Sequence, residues 1–140
     1  MPAVRREAKK LERAHLPRWF GLFSPTGHVV MGFASDADMT LARNALLGAG
    51  FRASTIAAFS SSEVVAEIRK MQKTFSKAAP LFNEFKMMKD HWALARKGGG
   101  FLIMYAPSKA ETARAVKIAR KFRLILAHKY NRLTVQSRKF

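Results

Sequence analysis

The chain contains one local pattern twice. "HVVMGFASDAD" begins at His28 and "FLIMYAPSKAE" begins at Phe101, and each leads from a short apolar run to a serine with an acidic residue three positions later. A short apolar run bounded by turn residues is typical of a buried strand. Serine followed by an acidic residue at the third position is typical of a capped helix start. Each copy therefore predicts a strand that leads into a helix, and the apolar stretch after each helix predicts a second strand.

The two copies align residue by residue at the strand–helix junction. Placing Ser35 on Ser108 also places Met31 on Met104. Two strand–helix–strand units in one small chain are typical of the split βαβ arrangement. We therefore predict an α+β, ferredoxin-like domain, in which a four-stranded antiparallel sheet carries helices on one face. The predicted strands are 28–34, 51–60, 101–107 and 123–130, and the basic tail after them is a candidate for extending the sheet.

A segment with a helical pattern, 61–97, separates the two copies. Apolar residues recur there at steps of three and four, as on one side of a helix, and Pro80 interrupts the run. The segment is expected to form a helical hairpin, or one kinked helix that makes an oligomer seam. Its apolar stripes are expected to pack into the core of one subunit or to join subunits into a homo-oligomer. The glycines after Lys97 end it. The predicted division is a basic N-terminal arm, 1–27, and a ferredoxin-like domain, 28–140, that contains this helical insert.

The net charge of the chain points to an anionic partner. Lysine and arginine number 26 against 9 acidic residues, which gives a formal net charge of +17. Such an excess favours binding to nucleic acid, to an acidic protein or to an anionic membrane surface. The chain has no cysteine, which excludes disulfides and cysteine-based zinc sites. We expect a cytoplasmic protein, because no secretion signal and no apolar run of about 18 residues is found in the sequence.

The basic residues concentrate in the last third of the chain. Residues 98–140 hold ten basic residues and one acidic residue, whereas 29–60 holds two of each. Arg114, Lys117 and Lys121 fall at i, i+3 and i+7, which places them on one stripe of the second predicted helix. Because dense like charges repel one another, a counter-anion relieves that cost, and nucleic-acid phosphates, of DNA or RNA, fit this role. The predicted nucleic-acid-binding residues are Lys109, Arg114, Lys117, Arg120, Lys121, Arg123, Lys129, Arg132, Arg138 and Lys139.

The N-terminal arm suggests an alternative function. It combines basic side chains with Trp19 and Phe20, and Pro17 is expected to end a short amphipathic helix within it. The alternative is a scaffold or adaptor that docks on an acidic protein or an anionic membrane surface through this arm and the helical insert. The predicted contact residues are Arg5, Arg6, Lys9, Lys10, Arg13, Trp19 and Phe20.

The sequence contains no arrangement typical of a catalytic site. Its four histidines are scattered without metal-ligand spacing. Helix capping explains the neighbouring acids Asp36 and Asp38. The glycines after Lys97 precede a predicted strand, whereas a phosphate-binding loop precedes a helix. We therefore expect a non-enzymatic binding protein without a metal or a cofactor.

Two stretches of the chain resemble the YflT-like domain of bacterial general stress proteins: "HVVMGFASDADMTLARNALLGAGFRASTIAAF" and, after the insert, "GGGFLIMYAPSKAETARAVKIARKFRLILAHKY". Those proteins pair a strand, an acid-rich helix start, a glycine-ended helix and a second strand, and they repeat this unit after an insert. The resemblance covers 28–60 and 98–130. The resemblance implies the ferredoxin-like fold and a bacterial cytoplasmic setting. It does not imply catalytic residues, because the family has no established ones.

Overall fold

The computed structural model describes residues 27–75, 82–130 and 135–138, with side chains for 27–70 and 89–129. The strands in these ranges are β1 (His28–Phe33), β2 (Ile56–Phe59), β3 (Phe101–Tyr105), β4 (Leu124–Tyr130) and β5 (Val135–Arg138). The helices are α1 (Asp36–Gly48), α2 (Ser61–Phe75), α3 (Phe82–Arg96) and α4 (Lys109–Ala119). Two short 3₁₀ turns, Ala53–Thr55 and Arg120–Phe122, precede β2 and β4.

The described strands form one sheet in the order β2-β3-β1-β4-β5, and all neighbouring strands are antiparallel. β1 and β2 are both antiparallel to β3, so they are parallel to each other with β3 between them. The order of the first four strands is compatible with a ferredoxin-like arrangement. The predicted α+β class with an antiparallel sheet is confirmed, and β5 extends this sheet beside β4.

Helices α1 and α4 cover one face of the sheet. Met39, Ala42 and Leu46 repeat at steps of three and four, and these buried side chains fix which side of α1 meets the strands. α4 is placed in the same way by small and branched side chains, so that its remaining residues project into solvent. The buried residues of α4 are Thr112, Ala115, Val116 and Ala119. This layer agrees with the predicted placement of the two capped helices.

Helices α2 and α3 cover the opposite face. Val64 and Ile68 from α2, together with Leu94 from α3, pack against a separate core cluster on the sheet. The same cluster contains Phe59 and Phe101, whose exposed fraction is 0%. The sequence left open whether this segment is a hairpin or one kinked helix. In the structure it is two helices, and they cover a face of the sheet for which the sequence predicted no layer.

Local hydrogen bonds form at the predicted helix starts. The Ser108 hydroxyl accepts the Glu111 backbone N–H at 3.0 Å, and the Glu111 carboxylate accepts the Ser108 backbone N–H at 3.4 Å. Ser35 accepts the backbone N–H of Asp38 at 3.0 Å in the same way. Its hydroxyl donates to the Asp38 carboxylate at 2.8 Å. The two capped starts are therefore confirmed, with the reciprocal capping box made by the glutamate.

Asp36 links two helices that are far apart in sequence. Its Oδ1 accepts the Ser61 backbone N–H at 2.8 Å, and its Oδ2 accepts the Ser61 hydroxyl at 2.9 Å. A backbone N–H in the first turn of a helix has no partner within that helix, so this contact satisfies a donor of α2. Asp36 therefore stabilises the start of α2 from the first turn of α1.

The glycines before β3 let two backbone segments approach closely. The Phe33 backbone N–H donates to the Gly100 carbonyl at 2.9 Å. Gly99 is buried, and a Cβ at this position would lie 2.5 Å from the Phe33 carbonyl oxygen. Gly98 has φ +96, a value that side chains disfavour. The predicted end of the helical segment at these glycines is confirmed, and the close packing of Gly99 explains the lack of a side chain there.

Candidate functional site

An exposed basic surface runs along α4 and the 3₁₀ turn after it. Because the buried residues of α4 share one side, its charged residues lie on the other side, and all six basic residues from 109 to 123 are exposed. We call these six the basic face: Lys109, Arg114, Lys117, Arg120, Lys121 and Arg123. The acid within this stretch is Glu111, which is engaged in the capping box. A cluster of this kind produces a positive potential that attracts polyanions.

Arg114 also has a role in packing α4 against α1. Its Nη2 donates to the carbonyl of Ala49, which follows the last residue of α1. Its guanidinium carbon lies 4.8 Å from the centre of the Phe51 ring, within the range of a cation–π contact. The last turn of α1 has no basic residue of its own. Arg114 therefore supplies the positive charge that stabilises a helix C-terminus.

Arg123 lies at the opposite end of α1. Its Nη1 is 3.6 Å from Oδ2 of Asp38, which belongs to the first turn of α1. Arg114 contacts the C-terminal end of α1, and Arg123, which comes later in the sequence, contacts its N-terminal end. Helices α1 and α4 therefore run antiparallel. Lys117, Arg120 and Lys121 lie between these two arginines in the sequence. The basic face thus combines two arginines that contact α1, three exposed cations between them in the sequence, and Lys109 at the start of α4.

Arg52 adds a cation that the sequence prediction missed. It is exposed and directly follows Phe51, the residue that Arg114 covers. The prediction omitted it because residues 29–60 have no net charge. The two acids of this unit lie in the first turn of α1, and the helix of 13 residues separates them from Arg52 by about 20 Å. The zero net charge of residues 29–60 therefore does not reveal that the acids and Arg52 are at opposite ends of α1. Arg52 lies at the end that has no acid.

Lys129 does not belong to the basic face, which corrects one predicted contact. It is 5% exposed, and its Nζ donates to the carbonyl of Ala106 and to Oγ1 of Thr112. Along β4, alternate residues point to opposite faces of the sheet. This alternation directs Lys129 beneath the start of α4, where it meets polar groups in place of solvent. We therefore remove Lys129 from the predicted nucleic-acid-binding residues and assign it a structural role.

Replacing Lys129 with alanine is expected to lower the free energy of unfolding by about 2–4 kcal/mol, because charged hydrogen bonds and buried methylene groups are lost together. The affinity of the folded variant for nucleic acid should stay within about twofold of the wild type, since Lys129 is buried. Lys117→Ala is the matched control: its stability should be nearly unchanged, and its affinity should fall if the predicted nucleic-acid binding holds. Urea unfolding and fluorescence anisotropy separate the two effects. A weaker affinity of folded Lys129→Ala would show that Lys129 contributes to the predicted nucleic-acid binding.

Several predicted contacts lie outside what the structure describes. The strand β5 includes the backbone of Arg138, while its side chain is outside the described part. The alternative docking function depends on the N-terminal arm, and this arm is also outside the described ranges. Within those ranges, no helix is both long enough and apolar enough to cross a bilayer. The predicted residues outside the described ranges are Arg5, Arg6, Lys9, Lys10, Arg13, Trp19, Phe20, Arg132 and Lys139.

Two histidines that the sequence left unassigned are buried together between α3 and β4. The ring centres of His91 and His128 lie 5.2 Å apart, and His91 also meets the Phe101 ring edge-on at 5.4 Å. Burial lowers the pKa of His91 well below its usual value, and the nearby His128 adds to the effect. Burial likewise lowers the pKa of His128, against an opposing effect of Asp90. Both imidazoles are therefore held in the neutral form.

A cavity of about 560 Å³ lies beside this histidine pair. Leu94, Ile125 and Leu126 form much of its wall, and its ionisable lining residues are Asp90, Lys97 and His128. Asp90 is the one carboxylate among the lining residues. In the described part of the chain, no group of three or more histidine, aspartate or glutamate side chains is placed to hold a metal ion.

Comparison with family models, with curated proteins and with solved structures found no match to this chain. The resemblance to the YflT-like domain of bacterial general stress proteins therefore stays a prediction.

Proposed function

We propose that this is a non-enzymatic protein that binds nucleic-acid phosphates through the basic face. The observation that carries the proposal is the exposure of all six basic residues of α4, its 3₁₀ turn and the residue that follows the turn, Arg123. In the same stretch, the capping box holds the carboxylate of Glu111. Like charges at this density repel one another, and nucleic-acid phosphates relieve this repulsion while the lysine and arginine side chains release the counterions condensed on the nucleic acid.

The covered sheet favours contacts with phosphates over contacts with bases. Sheets that read single strands present aromatic rings on which bases stack. Here Phe59 and Phe101 are fully buried beneath α2 and α3, and the ring of Phe51 is covered by Arg114. Lysine and arginine on a helix surface bind the backbone, which is the same for every sequence. We therefore expect binding with little dependence on nucleotide sequence.

Lys117→Gln, Arg120→Gln and Lys121→Gln together should weaken nucleic-acid binding and its dependence on salt. Each phosphate contact contributes about 0.9 to the slope of log K against log salt on a duplex, so the triple variant should lose about 3 from this slope. Arg114 is left unchanged because it also contacts Ala49 and Phe51. Fluorescence anisotropy with labelled DNA and RNA, as duplexes and as single strands of equal length, measures the effect and identifies the preferred form.

A matched control removes the same charge from the other side of the sheet. Arg69→Gln, Lys70→Gln and Arg96→Gln alter exposed residues of α2 and α3, where Arg69 and Arg96 lie over the Trp92 ring at 5.8 and 5.6 Å. This variant should keep most of the wild-type slope. Equal losses in the two triple variants would show that binding follows net charge and not the basic face. No binding by the wild type at low salt would end the proposal.

A further inference from the structure

Arg123 has an unusual backbone conformation for an arginine. Its φ and ψ are 55° and 48°, in the left-handed region, at the point where the 3₁₀ turn ends and β4 begins. Among the described residues it is the one non-glycine residue with positive φ. The other described residues with positive φ are Gly27, Gly50 and Gly98. The chain thus uses glycine at three such positions and arginine at this one.

The left-handed conformation is unfavourable for a residue with a side chain. The Cβ atom comes too close to the following carbonyl oxygen, and glycine avoids this contact. A turn that follows a helix therefore usually has glycine, or sometimes asparagine, in this conformation. Replacing glycine with arginine at this position destabilises the fold unless the side chain contributes something else.

The contacts of Arg123 within the described fold do not explain why this position has an arginine. Its carbonyl accepts the Ala34 backbone N–H at 3.1 Å, and this hydrogen bond is available to any residue. Its guanidinium meets Asp38 at 3.6 Å, but the Arg123 side chain is 74% exposed. Ion pairs exposed to this degree add little to stability. Within the described part of the chain, no contact of the Arg123 side chain offsets the unfavourable backbone conformation.

We infer that Arg123 is a phosphate-contact residue at one end of the basic face, and that its guanidinium is kept for binding although glycine would suit the backbone better. This inference rests on the proposed function. A guanidinium presents paired N–H donors that match two phosphate oxygens. Oδ2 of Asp38 lies 3.6 Å from Nη1 of this guanidinium, and the side chain remains largely exposed. The Arg123 backbone lies at the junction between the 3₁₀ turn and β4.

Three substitutions separate backbone strain from charge. Arg123→Gly removes both, Arg123→Gln removes the charge and keeps the strain, and Arg123→Lys keeps both. The glycine variant should melt a few degrees above the glutamine variant and at or above the wild type. Anisotropy with a short labelled DNA duplex should show that the glycine and glutamine variants lose about 1 from the salt slope. The lysine variant should retain the slope and bind more weakly than arginine, because its ammonium does not form the paired contact.

The outcomes distinguish this inference from the proposed function. If Arg123→Gly melts below the wild type, the side chain stabilises the fold and the inference is wrong. If the glycine and glutamine variants bind as the wild type does while the Lys117, Arg120 and Lys121 triple variant is weakened, the basic face binds without Arg123 and the inference alone fails. If none of these variants changes binding, both the proposed function and the inference fail.

Discussion

Replacing Gly99 with alanine is expected to lower the free energy of unfolding by about 3 kcal/mol, which is at the upper end of the usual cost of overpacking. The new Cβ would lie 2.5 Å from the Phe33 carbonyl oxygen and 2.6 Å from Cγ of Leu94. The carbonyl belongs to the backbone at the end of β1, which is paired on both sides and therefore does not move easily. Leu94 is itself part of the core beneath α3.

Gly48→Ala is the matched control for this substitution. Gly48 is the last residue of α1, it is exposed, and a Cβ there would meet no atom within 4 Å. Alanine at this position should raise the free energy of unfolding by about 0.5–1 kcal/mol, because it restricts the unfolded chain without strain. Urea unfolding followed by circular dichroism measures both variants. Equal unfolding midpoints for Gly99→Ala and the wild type would contradict the close approach of the two segments.

Acidification is expected to destabilise the fold through His91 and His128. Burial lowers the pKa of each imidazole in the folded state, whereas an unfolded chain has the ordinary value near 6.5. As the pH falls below about 6.5, the unfolded state therefore binds protons first. The contribution of the two neutral histidines to the free energy of unfolding is complete above this pH. Below it, this contribution is lost by up to about 1.4 kcal/mol per pH unit for each histidine that stays neutral in the folded state.

Substitutions at the histidine pair test the cause of this pH dependence. His91→Leu should flatten the curve of unfolding free energy between about pH 7 and pH 5, because one buried titrating group is removed. Asp90→Asn should make the curve steeper, since Asp90 opposes the lowering of the His128 pKa. Urea unfolding across this range gives the free energies, and the difference between variant and wild type isolates the histidines from other groups. Parallel curves for all three proteins would rule out this origin.

Local patterns predicted the helix starts and the end of the helical segment well. Ser108 and Glu111 are three residues apart and complete their hydrogen bonds within one turn, so no other part of the chain is needed. The recurrence of apolar residues at steps of three and four along α4 likewise determined which side of this helix is buried. The exposure of Arg114, Lys117 and Lys121 could therefore be predicted from spacing alone.

The roles of several charged residues could not be predicted in this way. Lys129 is buried because β4 directs it toward Ala106 and Thr112, which are distant in sequence. Asp36 binds Ser61, and Arg123 meets Asp38, for the same reason. These contacts exist only after strands from separate parts of the chain have paired. The residue pattern within one helix or strand therefore does not predict these contacts.

The sequence by itself determined the strands, the capped helices and the net positive charge of the chain, because each of these depends on neighbouring residues or on composition. The tertiary structure decided that α2 and α3 cover the second face of the sheet and that Phe59 and Phe101 lie inside it. It also decided which basic residues stay in solvent. The physical reason is that the burial of a residue depends on which segments pack against it. These segments are distant in sequence, and a local pattern does not specify them.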